Sequence, residues 1–151
     1  MKFGVLRFLG VLLGAHLFFS GSGDCNTIDW KSYTQGVAEA KSQGKKVFLY
    51  FTTDWCAYCE KMDQESLGHP GIISFLSQNF ISIRVDGDHE KKIVKAYKVF
   101  GYPESFFLDE NMDPLLDLPG FIGPALFYFY MEYIVSNAYR TMSPRQYYDS
   151  R

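Results

Sequence analysis

The chain has 151 residues, a hydrophobic share of 47% and a formal net charge of −2. That length suits one domain rather than two, and this apolar content excludes a largely disordered chain. Basic residues never gather beyond the pairs Lys45-Lys46 and Lys91-Lys92, which excludes a nucleic-acid-binding stripe.

The first element is a targeting segment rather than part of a fold. Lys2 opens a short basic start, an apolar run follows from Phe8 to Phe19, and the small residues Ser20 to Gly23 close it. This is the layout of a cleaved secretory signal peptide over residues 1–23. The run is well short of the ~20 residues that cross a bilayer, which disfavours a permanent span. Export makes the mature chain periplasmic or secreted, with 13 basic against 17 acidic residues once Lys2 and Arg7 are gone, a net of −4. Cys25 then stands just after the cleavage region. It reads as a free or intermolecularly paired thiol, with lipid attachment the alternative, disfavoured because Asp24 precedes it.

The mature domain is expected over residues 24–140. Asp29 to Gln43 has near-helical apolar spacing, with Thr27 or Asp29 as a cap and Gly44 as a stop. Val47 to Thr52 is a continuous apolar run rich in aromatic residues, the mark of a strand buried on both faces. Thr53-Asp54-Trp55 connects it to a helix from Cys56 to about Leu67, with Cys59, Met62 and Ser66 on one face. His69-Pro70-Gly71 breaks that helix, and Ile72 to Asn79 predicts another. Phe80 to Asp86 alternates as a half-buried strand, with Ile81, Ile83 and Val85 on one side. His89 to Val99 is helical, with Ile93, Ala96, Tyr97 and Phe100 inward. Ser105 to Leu108 and Leu115 to Leu118 form a hairpin around the turn Glu110 to Asp113. Pro124 to Asn137 is a final aromatic helix, and residues 141–151 are expected to be a loose tail. Strand–helix–strand units followed by a hairpin imply an α/β fold, a mixed sheet covered by helices on both faces.

The chemistry-bearing motif is Trp55-Cys56-Ala57-Tyr58-Cys59, placed where a buried strand hands over to a helix. Disulfide exchange is carried by a thiolate. A helix N-terminus offers unpaired amide donors and partial positive charge, so Cys56 should be the more acidic thiol. Cys59, one turn further in, should be the more buried one, close enough to close a disulfide. A zinc half-site is a poor alternative: it needs four ligands, and Cys25, His69 and His89 have no ligand spacing. A purely structural disulfide is the other alternative.

These residues resemble the thioredoxin superfamily, in particular the exported branch that includes the thiol-reductase domain of the bacterial transmembrane electron carrier. The resemblance rests on Lys46 to Phe51 leading into Asp54 to Cys59, on Lys61-Met62-Asp63, and on Phe100-Gly101-Tyr102-Pro103 before a Phe-rich strand. It covers about Trp30 to Asn137. It implies a thioredoxin fold with a central sheet of about four to five strands. Cys56 and Cys59 are then catalytic, and Pro103 takes the position of a cis-proline facing them. It also implies that the backbone at Tyr102 pairs with substrate. From their positions beside the cysteines, Trp55 is expected to shield the site and touch substrate, with core packing the alternative, and Tyr58 to be exposed, since a buried ring there would block access, and to contact substrate.

The implied function is an extracytoplasmic thiol–disulfide oxidoreductase, acting on protein disulfides as a reductant and supplied by a membrane thiol donor. No cofactor or metal is expected, and a monomer is. Two departures stand out: Ala57-Tyr58 replaces Gly-Pro, and Tyr50 occupies the place of a buried Asp. A phenol with a pKa near ~10 is a poor proton acceptor for Cys59 at neutral pH, which leaves Glu60 or a water for that task. The alternative function is a non-catalytic module that binds a partner through its aromatic surface.

Overall fold

The computed structural model describes residues 27–151. The signal-peptide reading of residues 1–23 and the alternatives for Cys25 lie outside the described residues.

β1 (Lys46–Thr52) has five consecutive buried residues at its centre. It pairs in parallel with β2 (Phe80–Asp86) and antiparallel with β3 (Glu104–Leu108), and β3 pairs antiparallel with β4 (Pro114–Pro119). The sheet order is β2-β1-β3-β4. Successive side chains on a strand point to opposite faces, so the all-apolar β1 feeds two cores. Val47, Leu49 and Phe51 join Ile81, Ile83, Val85, Phe106 and Leu108 on one face. α1 (Tyr33–Gln43) and α4 (Lys91–Tyr97) cover that face, through Ala40, Val37, Ile93 and Tyr97. Phe48 and Tyr50 join Phe80 and Phe107 on the other. There α2 (Ala57–Met62), α3 (Pro70–Asn79) and α5 (Pro124–Val135) pack down through Met62, Leu76, Phe127 and Met131. Fully burying each such side chain contributes about 1.5–3 kcal/mol.

Local chemistry sets the helix ends. Ser32, rather than Thr27 or Asp29, caps α1, because Lys31 is held one step earlier by a parallel bridge to Ile83. Gly44 ends α1 in the left-handed conformation, φ 60°, which glycine adopts without steric cost. The expected long helix after Cys56 is α2 followed by a π-helical turn at Asp63–Leu67. Cys59, Met62 and Ser66, expected on one face, are all buried, and Ser66 donates to the Ile122 carbonyl at 2.6 Å.

Three expectations are corrected. Phe100 is 95% exposed rather than inward, because α4 stops at Tyr97 and Lys98 turns the chain with φ 54°; Ala96 is exposed too. β2 is more than half-buried, since Trp30 and α3 screen its second face and leave Ser82 buried. Residues 141–151 are not loose: α6 (Pro144–Asp149) is closed by a capping box between Ser143 and Gln146. Tyr147 of α6 packs on Phe129 and Tyr133 of α5, with ring centroids 5.7 and 5.5 Å apart.

α1 approaches β2 so closely that a Cβ on Gly36 would overlap the Ile83 side chain. Gly36→Ala should destabilise the fold by about 1–3 kcal/mol through overpacking. Urea unfolding of wild type and variant reads this directly, and an unchanged midpoint would show that Ile83 can move aside.

Candidate active site

The two-sided burial of β1 ends at Thr52, and the turn Thr53-Asp54-Trp55 releases the chain at the sheet's carboxyl edge. Cys56 donates its N–H to the Thr53 carbonyl at 3.3 Å and becomes the N-cap of α2. Cys56 and Cys59 form a disulfide, with Cα atoms 5.2 Å apart. Cys59 is 2% exposed and Cys56 8%. The backbone N–H of Cys59 donates to Cys56 Sγ at 3.1 Å. On reduction that donor, with the free amides of the first turn, favours a thiolate at Cys56 over one at Cys59.

Below the disulfide lies a polar group built across β1 and β2. The register pairs Tyr50 with Arg84, which puts both side chains on one face. Tyr50 is fully buried, and its hydroxyl donates to the Cys59 carbonyl at 3.4 Å. Burial, reinforced by the Asp63 carboxylate, pushes the Tyr50 phenol well above its ordinary value, so it stays protonated. Arg84 forms an ion pair with Asp63. Its guanidinium lies 5.0 Å from the Trp30 ring and 5.3 Å from the Tyr50 ring, a cation–π arrangement that holds it in place. A cleft of about 360 Å³ opens beside this group, lined by Cys56, Cys59, Asp54, Glu60, Asp63 and Arg84 among others.

The rim is aromatic. Trp55 is 70% exposed and Tyr58 65%. Trp55 is nevertheless fixed: its indole N–H donates to Asp88 Oδ2 at 2.8 Å, and its ring meets Tyr102 edge-on at 5.9 Å. The Tyr102–Pro103 bond is cis and Pro103 is buried. Pro103 is followed by Glu104 at the start of β3, whose carboxyl is held above its ordinary value by burial and by Asp117. The structure therefore brings Tyr102, next to the cis Pro103, against Trp55, the residue before Cys56, from a distant stretch of chain.

Sequence reasoning missed Asp63, Arg84, Gly87 and Asp88. Gly87 gives room for the Tyr102 ring, since a Cβ there would overlap it. Asp63 stood in the Lys61-Met62-Asp63 motif without a role, and for the others the signal was the run Arg84 to Asp88, where a strand's alternation ends in a glycine between two acids. Glu60 is exposed and accepts from the Gln64 amide at 3.1 Å.

Fold and cysteine couple together define a thioredoxin-type domain with a disulfide at the start of its second helix. The chain belongs to the thioredoxin-like domain family, whose model matches residues 33–134. It is 29% identical over 94 residues to the disulfide bond reductase DsbH of Chlamydia pneumoniae, covering 54% of this chain and 57% of that protein. It is 31% identical over 136 residues to the thiol:disulfide interchange protein DsbD of Campylobacter jejuni. That match covers 82% of this chain but 24% of DsbD. Other curated relatives are longer still, the chain spanning 13% of human spermatogenesis-associated protein 20. Among solved structures, a thioredoxin from Thermus thermophilus superposes with a TM-score of 0.66 at 26% identity, over 72% of this chain and 87% of that one.

The burial difference and the Cys59 amide predict unequal thiols. In the reduced protein, iodoacetamide at about pH 6 should modify Cys56 well ahead of an ordinary cysteine of pKa near 8.5, and Cys59 hardly at all. Peptide mapping of the alkylated sites checks this; equal labelling of the two would contradict the assignment.

Proposed function

We propose that this chain is a thiol–disulfide oxidoreductase that works outside the cytoplasm and reduces disulfides in other proteins, receiving its electrons from a membrane thiol donor. The reading is carried by one observation: the disulfide couples a sulfur at a helix start, at the edge of an aromatic rim, to a sulfur buried one turn behind it. In this reading Cys56, the less buried of the two, is the sulfur that meets a partner, and Cys59 meets only its neighbour. The Cys56 thiolate attacks a substrate disulfide; one substrate sulfur leaves as a thiolate and a mixed disulfide forms. Cys59 attacks Cys56 Sγ, the mixed bond breaks, and the second substrate thiolate leaves. Two electrons pass from the dithiol to the substrate.

The site residues take distinct roles in this reading. Cys56 and Cys59 are catalytic. Trp55, held by Asp88 and Tyr102, presents a rigid apolar face to substrate, and Tyr58 adds a second. The backbone of Tyr102 beside Pro103 pairs with the substrate main chain. Export is supported by the apolar run of residues 8–19 and the small residues after it. None of the helices among the described residues is long and apolar enough to cross a membrane. The name of DsbH, a disulfide bond reductase, supports reduction, and that of DsbD, a thiol:disulfide interchange protein, supports exchange. The chain acts as a monomer, without cofactor or metal.

An insulin-reduction assay separates catalysis from partner binding. Cys56→Ser should fall to the uncatalysed rate, and Cys59→Ser should accumulate a mixed disulfide. Wild-type turnover that survives Cys56→Ser would leave only a binding module. The potential of the couple decides direction: a value near ~−270 mV marks a reductant and one near ~−120 mV an oxidant.

A further inference from the structure

We propose that the cleft beside Cys56 takes a lysine or arginine side chain that flanks the substrate disulfide, with Asp54 and Glu60 as its counter-charges. This rests on the exchange reaction proposed above and adds its substrate class: protein segments in which a basic residue adjoins the disulfide.

The cleft holds about 360 Å³ and is lined by Cys56 itself. Asp54, Glu60, Asp63 and Asp86 line it too, against the guanidinium of Arg84, a formal excess of three negative charges. Asp63 is matched by Arg84, and Asp86 bonds His89 Nδ1. Asp54 and Glu60 are exposed and enter no ion pair among the described residues. Neighbouring lysines are engaged elsewhere: Lys91 pairs with Asp88, and Lys61 sits over the Phe121 ring at 4.5 Å.

A second, independent observation points to a ligand. Thr53 lines the same cleft and is 4% exposed, and its hydroxyl has no hydrogen-bond partner among the described residues. A buried hydroxyl left unpaired costs free energy, and a donor entering the cleft would satisfy its oxygen. Arg84 Nε is unpaired as well, but the charge of that guanidinium is already matched by Asp63.

Two other occupants fit poorly. An anion would meet the excess of negative charge. A metal ion needs converging ligands, and among the described residues no three acids, histidines or cysteines gather closely enough to hold one. A cationic side chain suits spread carboxylates, because its several N–H groups donate in different directions. The exposed rings of Trp55 and Tyr58, on either side of Cys56 in the chain, attract the same charge through their faces.

The exchange reaction gains from such a substrate. Carboxylates near Cys56 disfavour its thiolate by like-charge repulsion. A bound cation cancels that repulsion at the moment of attack. An acidic cleft also speeds the encounter with basic segments, an effect that falls with ionic strength.

The test uses peptide disulfides that differ only in the residues flanking each cysteine: arginine, serine or glutamate. Each rate with the reduced full chain is divided by that of dithiothreitol with the same peptide, which removes the intrinsic reactivity of the disulfide. At about 0.01 M salt the arginine peptide should react about tenfold or more faster than the glutamate one, with serine between. At about 1 M salt the ratio should fall to within about twofold. Asp54→Asn and Glu60→Gln should each lower the low-salt ratio by about threefold, whereas Asp149→Asn, which removes the same charge from α6, should not. A low-salt ratio within about twofold overturns the proposal. So does a ratio indifferent to salt, or an equal loss in all three variants, which would reflect net charge alone. The salt series needs no variant, so a substitution that fails to fold leaves the proposal open to refutation. If the wild type reduces none of the peptides, the proposed function fails. The charge preference is then read by amide NMR on the oxidised chain. A linear arginine peptide with serine in place of cysteine must shift the Asp54 and Glu60 amides more than its glutamate counterpart, and equal shifts overturn the proposal.

Discussion

β1 places Val47, Leu49 and Phe51 in one core and Phe48 and Tyr50 in the other, and this two-sided burial determines where the chain must leave the sheet. A strand with no solvent face cannot slip by one residue, because the slip would exchange the two cores. Its last residue is therefore held in place, and so is the first residue of α2. Cys56 becomes a helix cap by this means, and Cys59 is buried by the same packing that buries Met62. The difference in exposure between two cysteines three residues apart comes from a strand neither belongs to.

The second consequence of that strand is electrostatic. An apolar β1 carries no carboxylate beneath the disulfide, only the neutral phenol of Tyr50. The charge in this region is supplied from the neighbours: Arg84 from β2 and Asp63 from the turn after α2. A lone buried charge would cost several kcal/mol. Here the guanidinium is paired and covered by two rings, and the carboxylate faces a cleft open to water. The pair is tolerable because it is only part-buried.

The aromatic content divides along similar lines. Phe48, Phe107 and Phe127 form a compact cluster in the core, with centroids 5.3 to 5.9 Å apart. Trp55 and Tyr58 stay outside, although Trp55 is held by a hydrogen bond and a ring contact. An exposed ring held in one orientation loses little entropy when something binds it. The α5–α6 corner uses its rings differently, with Tyr147 closing over Phe129 and Tyr133 to extend the core past the last predicted helix.

Long apolar runs and 3.6-residue spacing are local signals, and they locate the strands and most of the helices without any tertiary information. The sequence by itself also determined the redox pair, because two thiols two residues apart at a strand-to-helix junction have few other uses. The ends of α4 and the order of residues 141–151 escaped it. Lys98 leaves the helix in a left-handed turn that no spacing announces, while the Ser143–Gln146 capping box is a local signal that does mark the start of α6. The Asp63–Arg84 pair, the anchoring of Trp55 by Asp88 and the space Gly87 leaves for Tyr102 were decided by tertiary structure alone. Each joins residues about 15 to 33 positions apart. Which side chains meet across such a gap is set by strand register and helix docking, which local pattern does not encode.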